Sequence, residues 1–361
     1  MKYNIILLSA LLFILFIGCV NNKEKPVLLN HFSIKETHPE LTSLFTDKYQ
    51  ITPLETKAEC LVGQIDKIRK FEGQYYISST NGHSLLHFDD RGKFVVSLNK
   101  QGQGPEEYSR IEDFDIYRID KETEVWISDN KNIKVYDATD FSFKYKISFP
   151  FVIHKFKRMD NSHILLVTGQ SKNILTLTDK KGKVLSESLK KEIPYIMFRP
   201  VQFVKYASEY LYQIGIANAY IAFDPQTETF HQGRFINNKA YLSKEQLLNL
   251  FTDKGMNFIT EANKEVYISN IISLGDIFWM QTCKNGKNYL TKIQDKQCVS
   301  TEFDYGSVIS TVFVGESDNS ILLYINREQL ADYGKNVLDK FGNKIVSKMD
   351  DNPYILEFVK Q

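Results

Sequence analysis

At 361 residues, with a formal net charge of +1 and lysines and arginines scattered along its length, the chain carries no electrostatic footprint for nucleic acid. Its 20 tyrosines and 25 phenylalanines favour strands over helices. Four cysteines are present, and the three beyond position 19 (Cys60, Cys283 and Cys298) are an odd number that cannot complete a disulfide framework.

The first residues, Met1 to Asn4, carry one lysine, and an apolar run from Ile5 to Ile17, broken by Ser9, leads into Gly18-Cys19. One positive charge, a short apolar stretch and a small residue before a cut site describe a signal peptide over residues 1–18. The run falls short of the roughly 20 apolar residues a spanning helix needs. Phe16-Ile17-Gly18-Cys19 resembles the bacterial lipobox, in which the cysteine thiol is diacylated and becomes the mature N-terminus. Phe16 stands where that motif usually has Leu or Val. The resemblance implies lipid attachment at Cys19 and a membrane as the first partner, since two or three acyl chains hold a protein there stably. It places the protein at the cell envelope, with the outer membrane expected and both of its faces left open. An ordinary signal peptide or an uncleaved anchor is the competing reading. Residues 19–45 are expected to be lipidated N-terminus and tether, beginning with the polar Val20 to Lys25, and 46–361 the folded domain. Beyond the signal peptide no segment is long and apolar enough to cross a membrane.

Tyr49 to Glu55 reads as an isolated strand. Strand-like runs then recur between turn signals. Glu72-Gly73-Gln74 precedes Tyr75 to Ser78, Asn81-Gly82 turns into Leu85 to Asp89, and Arg91-Gly92 turns into Phe94 to Leu98. The same grammar returns at Val125 to Asp129, Ile133 to Asp137 and Phe143 to Ile147, and again at Ile164 to Val167, Ile174 to Asp179 and Val184-Leu185. Further copies begin at Tyr210 and Tyr220, at Ile277 and Tyr289, and at Ile321. Asp89, Asp137, Asp179 and Asp224 each end a strand before a turn, where the side chain can bond the turn backbone. Additional apolar runs, such as Ile111 to Ile119 and Val201 to Tyr206, precede several copies. Four strands per unit at a period of roughly 40–50 residues are the signature of a propeller. On this reading Cys283 and Cys298 lie on strands flanking a common neighbour, about 9–10 Å apart, too far for a disulfide, which needs Cα atoms within about 7 Å.

Ser243-Lys244-Glu245-Gln246 has the form of a capping box and predicts a short helix ending near Gly255. The stretch from Arg327 to Met349, with Leu330, Val337, Leu338, Phe341 and Val346, is read as a second helical insertion, and Pro353 to Val359 as the last strand. The final unit is then one strand short, and the strand at Tyr49 is the one to fill it, which removes the free edges of a ring. The expected fold is an all-β, six-bladed β-propeller of four-stranded blades, its N-terminal strand closing the last blade, with two short helical insertions.

Gly102-Gln103-Gly104-Pro105-Glu106-Glu107-Tyr108, followed by Ile111 to Ile116, resembles the Gly-x-Gly-Pro-x-Glu-Tyr signature of six-bladed β-propeller lipoproteins of the Bacteroides group, relatives of NHL-repeat propellers. The strand ending Pro53-Leu54-Glu55-Thr56 and the segment Asp351 to Leu356 are similar to that family's two ends. The resemblance implies fold and compartment more than activity. The loop does not match a phosphate cradle, since it lacks a following Lys-Ser/Thr, has no third glycine and leads into a strand; a structural role is expected, with a ligand contact the competing one. Gly102, Gly104 and Pro105 suit a tight crossing between blades, which Glu107 and Tyr108 would tie to a neighbour.

His83 and His87 would be about 13 Å apart on a strand, and His154 and His163 are isolated, so no metal ligand set emerges. There is no local hydrolase signature. Propeller geometry puts a ligand at the mouth of the central channel, where inner strands and the loops preceding them converge. Arg69, Arg110, Asp113, Arg158 and Arg199 lie there, and arginine clamps carboxylate, sulfate or phosphate. The competing role for these five is to solvate the channel rim. The leading functional expectation is a non-catalytic, envelope-anchored binding propeller for a peptide, glycan or protein, with no cofactor. The alternative is a hydrolase or lactonase-like enzyme holding calcium through carboxylate and amide oxygens of several blades. A scaffold role, with the inserted helices docking another protein, is a third reading.

Overall fold

The computed structural model describes residues 27–29, 35–36, 49–79, 83–192, 197–294, 297–303, 313–317, 319–330, 337–346 and 352–359. The expected signal peptide, Cys19 and the Asn81-Gly82 turn lie outside these residues.

Three short strands come first: β1 (Val27–Leu29), β2 (Lys35–Glu36) and β3 (Tyr49–Pro53). Antiparallel meanders of four follow. The first is β4 (Ile65–Phe71), β5 (Gln74–Ser79), β6 (Leu85–Phe88) and β7 (Phe94–Leu98). The second is β8 (Asp113–Ile119), β9 (Glu122–Asp129), β10 (Asn132–Asp137) and β11 (Phe143–Ser148). The third is β12 (Val152–Arg158), β13 (His163–Gly169), β14 (Asn173–Asp179) and β15 (Val184–Lys190). The fourth is β16 (Val204–Tyr206), β17 (Glu209–Gln213), β18 (Tyr220–Asp224) and β19 (Thr229–Ile236). The fifth is β20 (Val266–Leu274), β21 (Ile277–Lys284), β22 (Lys287–Gln294) and β23 (Gln297–Phe303). Last come β24 (Gly315–Glu316), β25 (Ser320–Ile325) and β26 (Tyr354–Val359).

These strands build five sheets. The second and third meanders stand alone; the fourth and fifth each gain an outer strand, β1 parallel to β19 and β2 parallel to β23. Part of the segment expected to be tether is therefore bound to the domain, where it covers two sheet edges that would otherwise present unpaired backbone groups. The remaining sheet has eight strands in the order β3-β26-β25-β24-β4-β5-β6-β7. As expected, the strand at Tyr49 pairs with the last strand: β3 lies antiparallel to β26, Tyr49 opposite Phe358 and Pro53 opposite Tyr354.

Register irregularities repeat from meander to meander. The first strand carries one between Ile65 and Lys67, between Ile153 and Lys155, and between Ile268 and Asn270. The third strand carries another at Phe88, Tyr136 and Thr178. Such bulges bend and twist a strand, and their recurrence marks one structural unit used repeatedly. Asp89 accepts from the amides of Arg91 and Lys93 (both 2.8 Å), and Asp179 from those of Lys181 and Lys183 (2.8 and 2.9 Å), with Gly92 and Gly182 at φ +77° and +86°.

The same device corrects the second predicted helix. Among the described residues of that stretch only α3 (Arg327–Leu330) is helical, after α1 (Lys244–Lys254) and α2 (Phe258–Ala262). Residues 337–346 instead turn back on themselves, with Leu338 opposite Lys344. Asp339 accepts from the amides of Phe341 and Asn343 (2.9 and 2.8 Å), and Gly342 sits at φ +83°. Asp339-x-x-Gly342 repeats Asp89-x-x-Gly92 and Asp179-x-x-Gly182, so local turn chemistry outweighs the apolar spacing that suggested a helix. The first helix follows the capping box as expected: Gln246 N donates to Ser243 Oγ (3.1 Å) and Ser243 N to Gln246 Oε1 (2.8 Å), and Gly255 at φ +56° ends it.

The core lies in wedges between successive sheets. On β9, Trp126 packs with Phe156 and Leu166 of the third meander, while Val125 and Ile127 point the other way, to Phe114, Leu85 and Tyr76. Strands in the middle of a meander are thus buried on both faces, whereas outer strands such as β15 are largely exposed. Helix α1 adds Leu247 to the wedge of Tyr212 and Phe223. Between β26 and the first meander, the buried Glu357 accepts from Lys70 Nζ with both oxygens (2.7 Å each), from Ser320 Oγ (2.6 Å) and from Tyr75 OH (3.3 Å).

The eight-stranded sheet is continuous because β24 lies parallel to β4, with Gly315 opposite Ile68 and Glu316 opposite Arg69. A Cβ on Gly315 would stand 2.1 Å from the Ile68 carbonyl oxygen, an obstacle that no side-chain rotation relieves. Gly315→Ala should therefore lower stability by about 1–3 kcal/mol. Gly63→Ala, with nothing within 4 Å of the added carbon, should change it little. Urea unfolding followed by tryptophan fluorescence compares the two.

Candidate functional site

The first strands of the meanders meet around the middle of the molecule, and on those of the first three charged residues alternate with apolar ones. Ile68 and Phe114 are fully buried between sheets, and Phe156 nearly so, while Lys67 and Arg69, Asp113 and Asp115, and Lys155 and Lys157 take the inward positions. Period-two alternation on a strand separates the two faces in this way.

These inward charges bind one another across strands. Asp115 Oδ1 accepts from Arg69 Nε (3.0 Å) and from the amide of Ile116 (2.8 Å). Its Oδ2 accepts from Lys157 Nζ and Tyr117 OH, both at 3.0 Å. Lys157 Nζ also reaches Glu316 Oε1 at 2.9 Å, and Arg69 Nη1 donates to the Glu316 carbonyl at 3.1 Å. One layer up, Asp113 meets Lys67 Nζ at 2.8 Å and Lys155 Nζ at 3.5 Å, and accepts the Phe156 amide at 3.2 Å. The strands β4, β8, β12 and β24 are thereby joined through their charges.

Burial by itself would push the Asp115 carboxyl up, but Lys157, Arg69 and Lys67 together hold it well below the usual carboxylate range. Burial would pull Lys157 down, and Asp115 and Glu316 more than offset it, so the ammonium is held charged. Lys155 goes the other way: burial lowers it in spite of Asp113. Burial, with the Asp115 anion adding to it, raises the Tyr117 phenol well above its ordinary value, so it stays a neutral donor.

Beside this network opens a cavity of about 760 Å³ to which β4, β8, β12, β16, β20 and β24 all contribute. One wall is polar, formed by Arg69, Tyr117, Lys157 and Glu316. The opposite wall comes from the fourth and fifth meanders and is apolar and aromatic: Phe203, Val204, Tyr206, Tyr210, Ile272 and Leu274. Lys205, Asp276 and Ser317 complete the lining. Ala207, Gly275 and Asp276 belong to the turns that follow first strands, so the cavity lies at the trailing ends of those strands. The expectation had been the loops that precede them.

Of the five residues expected at the channel mouth, Arg69 lines the cavity. Asp113 is buried in the upper charge layer behind it. Arg110 is exposed near Glu112 (3.7 Å), and Arg158 lies over the rings of Tyr117 and Trp126 and donates to Asn161 (2.8 Å). Arg199 is buried and donates to the carbonyls of Ser269 (3.0 Å) and Gly215 (2.5 Å). Arg110, Arg158 and Arg199 do not border the cavity, whereas Asp115, Lys157, Lys205 and Glu316 stand at or directly behind its wall. The signal for Asp115 and Lys157 is the i, i+2 spacing of charges in Asp113-x-Asp115 and Lys155-x-Lys157, which Lys67-x-Arg69 shares.

The Gly102 loop is a separate element. Gly104, Pro105, Glu106 and Glu107 form a turn closed by the Glu107 amide on the Gly104 carbonyl (3.1 Å), with proline at the position whose φ it favours. Glu107 folds back so that Oε2 accepts the Gly104 amide at 2.8 Å, and a Cβ on Gly102 would lie 1.9 Å from that oxygen. The chain's own carboxylate fills the space that a bound phosphate would need. Tyr108 is fully buried and donates to the carbonyls of His83 and Leu98 (2.7 and 2.8 Å), and Tyr136 of the second meander donates to Glu106 O (2.9 Å).

Cys60, Cys283 and Cys298 are free thiols. Cys283 pairs with Asn288 and Cys298 with Ile293 on the two sides of β22. Among the described residues no group of three or more His, Cys, Asp or Glu could hold a metal ion. No helix among them is long and apolar enough to cross a membrane.

Successive four-stranded meanders whose first strands meet around a central cavity define a β-propeller. The chain belongs to the DUF4934 family, described as a domain of unknown function, whose sequence profile matches residues 33–356. Among solved structures it is similar to a candidate exported protein from Bacteroides fragilis, with a TM-score of 0.70 at 16% identity over 92% of this chain and 100% of that one. It is also similar to a member of the DUF4221 family from Bacteroides vulgatus, with a TM-score of 0.53 at 10% identity over 87% of this chain and 96% of that one. No curated protein matches the chain.

Because the folded Asp115 titrates below its unfolded value of about 3.9, its charge stabilises the fold at neutral pH. That contribution is lost as the pH falls below about 4 toward the folded value. Asp115→Asn, which leaves Arg69 and Lys157 short of a partner, should cost about 3–5 kcal/mol at pH 7. The variant should then lose less additional stability than the parent between pH 5 and pH 3, as measured by urea unfolding at each pH.

Proposed function

We propose that this chain is an exported, lipid-anchored, non-catalytic binding module, built as a six-bladed β-propeller with its ligand site in the central cavity. The count of six takes the eight-stranded sheet as two blades, β4–β7 and β24–β26 completed by β3. The cavity carries the reading. Its volume of about 760 Å³ falls within the range of small-molecule sites. The ionised groups beside it are meanwhile engaged with one another. A hydrolytic centre needs a group poised to take or give a proton near neutral pH, and Asp115 and Lys157 hold each other in their charged forms. The calcium alternative meets a similar obstacle. A cation placed among Asp113 and Asp115 would face Lys67, Arg69, Lys155 and Lys157, whereas calcium takes six to eight oxygen ligands.

Export is supported by the signal-like residues 1–18 and agrees with the description of the Bacteroides fragilis neighbour. Anchoring is supported by Phe16-Ile17-Gly18-Cys19. With the lipid in place, the module would work at the envelope, most naturally on the outer membrane, holding a peptide, glycan or protein ligand.

Two experiments test this. Cys19→Ala, expressed in a bacterial host, should fail to take up labelled palmitate and should leave the membrane fraction; a variant still labelled and still pelleting would sink the anchor. In a thermal-shift screen against oligosaccharides, short peptides and divalent metals, a cavity ligand at a hundred times its Kd should stabilise the protein by about 2.7 kcal/mol. Stabilisation by calcium alone would favour the hydrolase. The absence of any stabilising small molecule would remove the cavity as a ligand site and point to a partner protein.

A further inference from the structure

We infer that the central cavity takes a neutral sugar, one ring face lying on the aromatic residues and the hydroxyls meeting the open polar atoms of the lining; the inference rests on the cavity being the ligand site.

Charge is the first argument. Arg69, Lys157 and Lys205 line the cavity, as do Asp276 and Glu316, and Asp115 stands directly behind Arg69 and Lys157. The lining carries both signs, and Asp115 and Glu316 already take up Arg69 and Lys157. An anion entering here meets Glu316 and Asp276, and a cation meets Lys157 and Lys205, so neither is selected. A wholly apolar ligand fails differently, because it would strip water from Lys157 and Glu316 and return no hydrogen bond.

The atoms left open on the wall complete the case. Glu316 uses Oε1 on Lys157, and its Oε2 has no partner among the described residues. Lys205 makes no ion pair among them, and the Tyr206 hydroxyl makes no hydrogen bond; the Tyr206 ring is braced edge-on against Phe278 at 5.6 Å. A carboxylate oxygen, an ammonium and a phenol together need a partner that both donates and accepts, and a sugar hydroxyl does both. The aromatic wall needs an apolar surface, which the carbon–hydrogen face of a pyranose supplies while its hydroxyls point outward. A di- or trisaccharide is the scale of ligand that a cavity of about 760 Å³ accepts.

The test is isothermal titration of the full chain in mild detergent with maltose, cellobiose, lactose and N,N′-diacetylchitobiose, alongside galacturonic acid and dialanine. At least one neutral disaccharide should bind, about tenfold more weakly to Tyr206→Leu and severalfold more weakly to Lys205→Met. Its affinity should stay nearly constant between 50 and 500 mM NaCl, since no net charge is recognised. Lys205 is exposed and makes no ion pair among the described residues, so Lys205→Met should fold even if the tyrosine variant does not. If only galacturonic acid or dialanine binds, with strong salt dependence and sensitivity to these substitutions, the sugar assignment falls and the cavity remains the ligand site. If no probe binds, both fall.

Discussion

The carboxylate of Asp115 is the point on which the middle of this molecule depends. It is buried, and it is met by Arg69 from one neighbouring strand, Lys157 from another and Tyr117 from its own. Through Lys157 and Arg69 the chain of contacts passes on to Glu316. Four first strands that are distant in sequence are thus held at one spacing around a shared anion. A buried ion pair is weak evidence for net stability, because desolvation consumes most of its Coulombic gain. Its effect is on arrangement: removing any one member leaves the others charged and unpaired in a poor solvent. The hydrophobic wedges between sheets supply the driving force for folding, and the central charges restrict the ways in which those sheets can meet.

Closure of the sheets depends on equally specific chemistry. β3 pairs with β26, Gly315 lets β24 approach β4, and Glu357 is shared between Lys70, Tyr75 and Ser320 across the same junction. Lys340, on the turn that replaced the expected helix, reaches the Tyr75 hydroxyl at 3.4 Å and donates its amide to Ile51 O. The turn therefore backs the closing strand. On the outside, β1 and β2 lie along β19 and β23. The three N-terminal strands are thus divided among three different sheets.

Much of the fold could be read from the residues because its signals are local. Strand-turn alternation, the capping box at Ser243 and the aspartates that end strands all act within a few positions. Residues 337–346 carry the same local signal in Asp339-x-x-Gly342, and it outweighs the apolar spacing that suggests a helix. β1 and β2 are too short for any pattern to announce them; only the uncovered edges of β19 and β23 explain them. The site was less legible for a different reason. Arginines near the start of the inner strands were chosen by type, and Arg110, Arg158 and Arg199 turned out to serve the rim or the packing. Arg69, which lines the cavity, lies on an inward position of the alternation, as do Asp115 and Lys157. Which meanders contribute charge and which contribute rings depends on how the sheets meet, and no short window of sequence contains it.

That division has a consequence for recognition. The paired charges of the cavity come from the first three meanders and β24, and its apolar and aromatic residues from the fourth and fifth, which also bring Lys205 and Asp276. In the absence of ligand the paired charges already hold one another, so a ligand that broke those pairs would have to replace bonds to Asp115 or Lys157 that are hard to better. A ligand that leaves them intact meets only the outward-facing atoms, Glu316 Oε2 and Lys205 among them, and the opposing rings. Affinity from such contacts is modest, and discrimination must come from the distance between the two walls and the directions of the few open polar atoms. A rigid central network is what fixes that distance. On the binding reading proposed above, the ion pairs that fix the charged side of the cavity also fix the distance a ligand has to span.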